Sequence, residues 1–157
     1  MKECSCERCS NACSCRPGWF KPGEIETAAK LLKMSVLDFF RQKLAVDWWE
    51  GYGDEGTVFV IAPAIKGKAT GEEYHGDPRG ECIFYKDGKC EIHAAKPFEC
   101  AAYFHNDSHY IAYERHRQVA NAWKKEQEKI EHLLGRQPVK KEFVGGGLFS
   151  GLFGGWD

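Results

Sequence analysis

A chain of 157 residues with 43% hydrophobic and 13% aromatic side chains carries enough apolar material for one real core, which excludes a disordered polymer. Twenty-two basic against twenty-three acidic residues leave a net charge of −1, so there is no general electrostatic pull toward nucleic acid or anionic lipid. No apolar run is long enough for a membrane span and Met1-Lys2-Glu3-Cys4 opens no signal-peptide core, so a cytoplasmic protein is expected.

The chain opens on Cys4, Cys6, Cys9, Cys13 and Cys15, five of its eight cysteines, with almost nothing apolar between them. So short and polar a segment cannot hold a shape by burying surface. In a reducing compartment its thiols are better suited to metal or redox chemistry than to a disulfide framework. Arg16 to Gly23 is a connector rich in turn residues, with Trp19 and Phe20 either lidding a metal site or packing in an ordinary core. Ile25, Ala28, Ala29 and Leu32 recur at helical spacing, predicting a helix over 24–33 with Pro22 in its first turn and Glu24 and Glu26 at its positive end. Ser35 caps a second helix over 35–44, with Asp38 at the capping-box position, and the two form a helical hairpin.

Residues 45–49 lead into a Gly-rich turn, and 57–61 read as a strand ended by Pro63. Residues 66–80 read as a loop with little to bury. A β-hairpin is predicted from strands 82–85 and 90–93 around Asp87-Gly88, which places Cys82 and Cys90 near its base on one side. Pro97 suits the N1 position of a short helical start, and Asn106-Asp107-Ser108 offers a cap for one long helix over 109–134, stopped by Gly135. The end of the chain pairs Leu148-Phe149 with Leu152-Phe153 on Gly-rich backbone, a tail suited to docking on a protein partner through residues 143–157. The expected organisation is a metal-binding domain over 1–140 and an apolar tail over 141–157. The expected fold class is α+β: a β-hairpin, short helices and one long C-terminal helix around a cysteine-rich metal centre.

Thiolates bind zinc or iron strongly because they are soft and charged. Cys6-x2-Cys9 lets two sulfurs clasp one ion, and Cys9-x3-Cys13 also works. Cys4-x-Cys6 and Cys13-x-Cys15 suit one ion less well and are natural if neighbouring sulfurs serve two metals. Together with Cys82, Cys90 and Cys100 the thiols fill two four-thiolate sites, or one iron–sulfur cluster with several to spare. His93 and His105 lie close enough to Cys90 and Cys100 to serve as a neutral fourth ligand; His75, His109, His116 and His132 carry less weight.

The cysteine-rich opening, followed by Cys82-Ile83-Phe84-Tyr85-Lys86-Asp87-Gly88-Lys89-Cys90-Glu91-Ile92-His93 and then Lys96-Pro97-Phe98-Glu99-Cys100, resembles the YkgJ-type cysteine-cluster family. The resemblance covers Cys4 to His105. It implies a zinc- or iron-chelating domain with the cysteines as ligands. Here Lys96 stands where Arg is more usual and His93 where Tyr is common. Some relatives carry this domain beside lysine methyltransferase activity on flagellin, with the cysteines linked to an iron–sulfur cluster. The expected function is a metal-binding module whose ion is mainly structural. The alternative is an iron–sulfur or metal-dependent enzyme or redox protein linked to protein modification.

Overall fold

The structure, a computed structural model, describes residues 17–51, 56–76, 79–102 and 106–142. Helix α1 (Glu24–Leu31) buries Ile25, Ala28 and Ala29 along one stripe and ends where Lys33 turns left-handed at φ 58°. Met34 N–H then reaches back to the Ala29 carbonyl at 2.9 Å, closing the last turn. Helix α2 (Val36–Lys43) starts at Ser35, whose hydroxyl accepts Asp38 N–H at 3.1 Å, and buries Phe39 and Phe40. Both helices match the sequence expectation.

Strand β1 (Leu44–Glu50) follows α2 without a loop and pairs antiparallel with β2 (Thr57–Pro63), from Leu44 opposite Pro63 to Glu50 opposite Thr57. In sequence, residues 45–49 show only a lead into the turn. The reason lies in the far edge of β1, where Val46 N–H donates to the Glu72 carbonyl and Tyr74 N–H to the Val46 carbonyl, in parallel register with Glu73. A strand bonded on both edges and buried on both faces loses the polar alternation that marks a strand in sequence. The same pairing corrects the expectation for 66–80. That segment buries Glu73 and Tyr74 completely or nearly so, and Tyr74 O–H donates to the Pro63 carbonyl at 2.5 Å.

The hairpin is present but short. Strands β3 (Tyr85–Lys86) and β4 (Lys89–Cys90) turn at Asp87 and Gly88, at φ 53° and 77°, as the favoured Asp-Gly corner requires. Cys82 instead bridges Ile65, and Ile83 N–H goes to the Ala64 carbonyl, so this arm spends its backbone groups on the chain after β2. After Ile92 the other arm winds into a 3-10 turn, His93–Ala95. Helix α3 (Phe98–Ala102) follows, with Pro97 just outside it supplying the carbonyl that accepts Ala101 N–H at 3.0 Å.

The predicted long helix is two helices, α4 (His109–Lys124), capped by Ser108 on Ile111 N–H, and α5 (Gln127–Leu134), ended by left-handed Gly135. Gln127 explains the break. Its side-chain Nε2 takes the Trp123 carbonyl at 2.8 Å and the Phe59 carbonyl at 2.9 Å, while its Oε1 accepts Phe59 N–H at 3.2 Å. The amide thus acts as a third strand along one residue of β2, and the chain kinks to place it there. Replacing Gln127 by alanine leaves both Phe59 backbone groups half-buried without a partner, an expected loss of about 1–3 kcal/mol in urea unfolding. The exposed neighbour Glu128 changed to alanine is expected to stay within about 0.5 kcal/mol of the parent.

The architecture is therefore α+β in one domain. Its interior is apolar: Phe20, Phe39, Phe40, Phe84 and Trp123 meet around the β1–β2 pair, and Phe39 stacks on Phe84 with ring centres 5.8 Å apart. Among the described residues no helix is long and apolar enough to cross a membrane. Beyond α5 the chain runs back along the sheet, where Arg136 and Val139 bond Glu73 and Lys141 bridges His75. The predicted docking segment 143–157 lies outside the described residues.

Candidate functional site

The described chain begins at Pro17, two residues after Cys15, and its first few residues are held from three sides. Phe20 pairs with Ile61 on the edge of β2, its N–H donating to the Ile61 carbonyl at 2.9 Å. Trp123 Nε1–H donates to the Phe20 carbonyl at 2.7 Å. Trp19 Nε1–H donates to Asp47 Oδ2 at 2.9 Å, and Asp47, only 3% exposed, also accepts Trp48 N–H. Trp19 and Phe20 are both core residues, in keeping with the packing alternative for these aromatics.

Gly18 and Trp19 run against the start of α3. Trp19 N–H donates to Glu99 Oε1 at 2.9 Å. A Cβ on Gly18 would stand 2.9 Å from Glu99 Cβ and 3.0 Å from both the backbone nitrogen and the sulfur of Cys100. Only glycine lets the two backbones come this close. The Cys100 thiol therefore packs against Gly18.

Glu99 is the pivot of this corner. It is 5% exposed, and its second oxygen lies 2.5 Å from His116 Nδ1 on α4. The His116 ring packs on the Trp19 indole, with centres 4.5 Å apart and planes tilted by 44°. Next to this corner a groove of about 590 Å³ opens between α3 and α4, lined by Phe98, Ala102, Tyr110 and Ile111. Phe98 is itself fixed by Glu24, whose carboxylate accepts its N–H at 2.9 Å.

The other sequence candidates stand elsewhere. Cys82 is 6% exposed within the apolar core, and Cys90 is half-buried on β4. Burial pushes the Cys90 thiol above its ordinary value, while the Ile92 N–H and the Lys96 charge pull it back part of the way. His93 is exposed on the 3-10 turn, His75 is exposed beside Glu72, and His109 and His132 are on the surface. Cys4, Cys6, Cys9, Cys13, Cys15 and His105 lie outside the described residues. Among the described residues no disulfide joins the cysteines, and no three His, Cys, Asp or Glu side chains are grouped to hold a metal. Cys82, Cys90 and Cys100 do not by themselves make a ligand set.

At this corner the described residues supply one thiol, Cys100, and one imidazole, His116, short of a ligand set. Sequence reasoning gave His116 little weight and Glu99 and Asp47 none. Glu99 and His116 sit on different helices, 17 residues apart. Nothing in their local pattern announces the contact. The one sequence signal was Glu99 standing next to Cys100. No protein-family model, curated protein or solved structure matches this chain.

Proposed function

We propose that this chain is a cysteine-cluster metal-binding protein, of the zinc- or iron-chelating kind its sequence resembles, with a mainly structural metal. The thiols of the opening segment and those of Cys82, Cys90 and Cys100 are the source of ligands, and residues 143–157 are the docking element for a protein partner. The observation that supports this reading is the packing of Gly18, three positions after Cys15 in the sequence, on the Cys100 sulfur. The chain that follows the segment is anchored through Trp19 on Glu99 and Phe20 on Ile61. Anchoring matters because part of the entropy of gathering ligands is removed before the ion arrives. When bound, the ion would cross-link a polar segment that has no apolar surface of its own to bury.

The test is elemental analysis of the full chain purified without oxygen, with acid-labile sulfide measured alongside. Stoichiometric zinc, or iron with or without sulfide, is the expected result, and the sulfide value separates single ions from a cluster. A chain truncated after Val144 is expected to keep the metal and lose any co-purifying partner. Reduced full-length protein that takes up neither zinc nor iron overturns the reading.

A further inference from the structure

We propose that residues 136–142 are a detachable strap, held over a sheet edge chiefly by ion pairs and lifted by salt or acid while the rest of the fold stays closed. The strap is independent of any metal.

The arm itself buries almost nothing. None of residues 135–142 is buried, and Val139 is 52% exposed. Lifting it therefore gives up little of the apolar burial that holds the core together. Its contacts are instead charges of one sign on charges of the other. Arg136, Lys140 and Lys141 lie on Glu73, Glu50 and Glu72 of the sheet side. The backbone adds Gly76 N–H on the Lys141 carbonyl, at the parallel bridge of Lys141 to His75. Glu50 and Glu72 are 47% and 38% exposed, so salt screens both of their pairs. The hold is concentrated on buried Glu73, whose cations both come from the arm. Arg136 takes its two oxygens at 2.6 Å each and Lys141 lies at 3.3 Å.

The boundaries of the moving part are local. Left-handed Gly135 ends α5 with its N–H on the Glu131 carbonyl at 2.8 Å, so the helix is closed before the arm begins. Ile130 and Leu133 keep α5 in the core without the arm's help. On the other side Tyr74 is 3% exposed, with its N–H on the Val46 carbonyl and its O–H on the Pro63 carbonyl. The segment under the strap thus stays in the sheet, and release bares its outer edge. A covered edge is protected from pairing with another chain, and a bared one is not. Acid acts through the same groups. From the arm, Arg136 and Lys141 face Glu73 and keep their charge in acid, while Glu142 reaches Lys140. On its own segment Glu72 and His75 stand beside it; β1 sets apolar Val46 against it and carries Glu50 beyond Lys140. The Glu73 carboxyl is held at about 2 against an ordinary 4.5, so its contribution is complete above 4.5 and drains as pH falls toward 2. Protonation of His75 works in the same direction, since it sets a cation in competition with Lys141 for Glu72.

Native-state hydrogen exchange of the full chain, read by NMR as protection factors in low urea, tests the strap. Gly76 and Val139 report on it, because their N–H groups bond the Lys141 carbonyl and the Glu73 carboxylate. Phe20 and Tyr74, bonded within the sheet, are the references. At pH 7 and low salt the reporters are expected to be protected about 100-fold, well below the references. Their exchange is expected to ignore urea, since lifting the arm exposes little surface, while the references follow the full slope of global unfolding. Reporter protection is expected to fall about 10-fold in 1 M salt. It is expected to fall about 10-fold again between pH 7 and pH 3.5, the change that a carboxyl held at about 2 rather than 4.5 dictates. Arg136→Ala is expected to leave the reporters nearly unprotected and Phe20 and Tyr74 protected. Reporters that share the references' protection and urea slope would show that the arm leaves only when the whole chain unfolds, and would overturn the proposal. Reporters with no protection at pH 7 and low salt, or with protection that neither salt nor acid lowers, would overturn it too. All of these outcomes are read on the parent, so none depends on a variant that folds.

Discussion

Replacing Glu73 by alanine lowers the unfolding free energy by about 3 kcal/mol at neutral pH, the low end of the range for breaking a buried ion pair. Glu73 is fully buried beside Val46, and its two oxygens take the two guanidinium nitrogens of Arg136 at 2.6 Å each. Val139 N–H adds a bond at 2.9 Å and Lys141 Nζ lies 3.3 Å away. These contacts fasten the arm after α5 onto the exposed edge of the segment that pairs with β1. Arg136 is 45% exposed and can be partly rehydrated when its partner goes, which is why the loss falls at the low end.

The same carboxylate makes the latch sensitive to acid. Burial alone would push Glu73 up, but the Arg136 guanidinium and the Val139 N–H outweigh it and hold the group at about 2, against an ordinary 4.5. A carboxyl lowered on folding contributes stability above its unfolded value, and that contribution drains away as pH falls from 4.5 toward 2. The linkage is on the order of 2 kcal/mol once screening at the half-exposed arginine is allowed for. Urea unfolding of the parent and of Glu73→Gln should therefore give a gap at pH 7 that narrows below pH 4.5. A gap of the same size at pH 7 and pH 2.5 would mean that the charge on Glu73 contributes nothing.

How much of this could be read from the sequence depends on whether a contact is local. Ser35, Gly135 and the Asp87-Gly88 corner each act within a few residues and stand where their chemistry predicts, and of the stretch Asn106-Asp107-Ser108 it is Ser108 that caps α4. Strand β1 was hidden because burial on both faces removes its alternation. The break before α5 was hidden because a side-chain amide, Gln127, substitutes for backbone on a strand far away in sequence. Residues 66–80 looked polar enough to be a loop because the charge that is buried there, Glu73, has its partner 63 residues on. For the candidate site, Cys100 and the cysteine-rich opening were legible as types. The packing of Cys100 against Gly18 was not, since it depends on the absence of a side chain. The Glu99–His116 contact was beyond reach for the same reason as Glu73 with Arg136: each partner alone looks like a solvated surface residue.

Trp123 connects the core to that corner, and its removal has the other large expected effect. The side chain is completely buried, and truncation to alanine costs about 3–5 kcal/mol through lost burial and the cavity left between α4 and β2. It also leaves the Phe20 carbonyl without its donor. Trp123→Phe keeps most of the volume and loses the N–H alone, for an expected cost of about 1–2 kcal/mol. The two variants separate packing from anchoring. Phe20 is two residues after Gly18, so a weakened hold on Phe20 loosens the backbone that presents Gly18 to Cys100 and Trp19 to Glu99. Under the proposed metal-binding function, at urea-free conditions where both variants are folded, metal affinity is expected to fall in Trp123→Ala and to fall less in Trp123→Phe, in the order of their stabilities. Equal affinity in all three proteins, alongside the stability losses, would show that the cysteine-rich segment finds its ligands without the core's help, and that the anchor at Phe20 serves the fold alone.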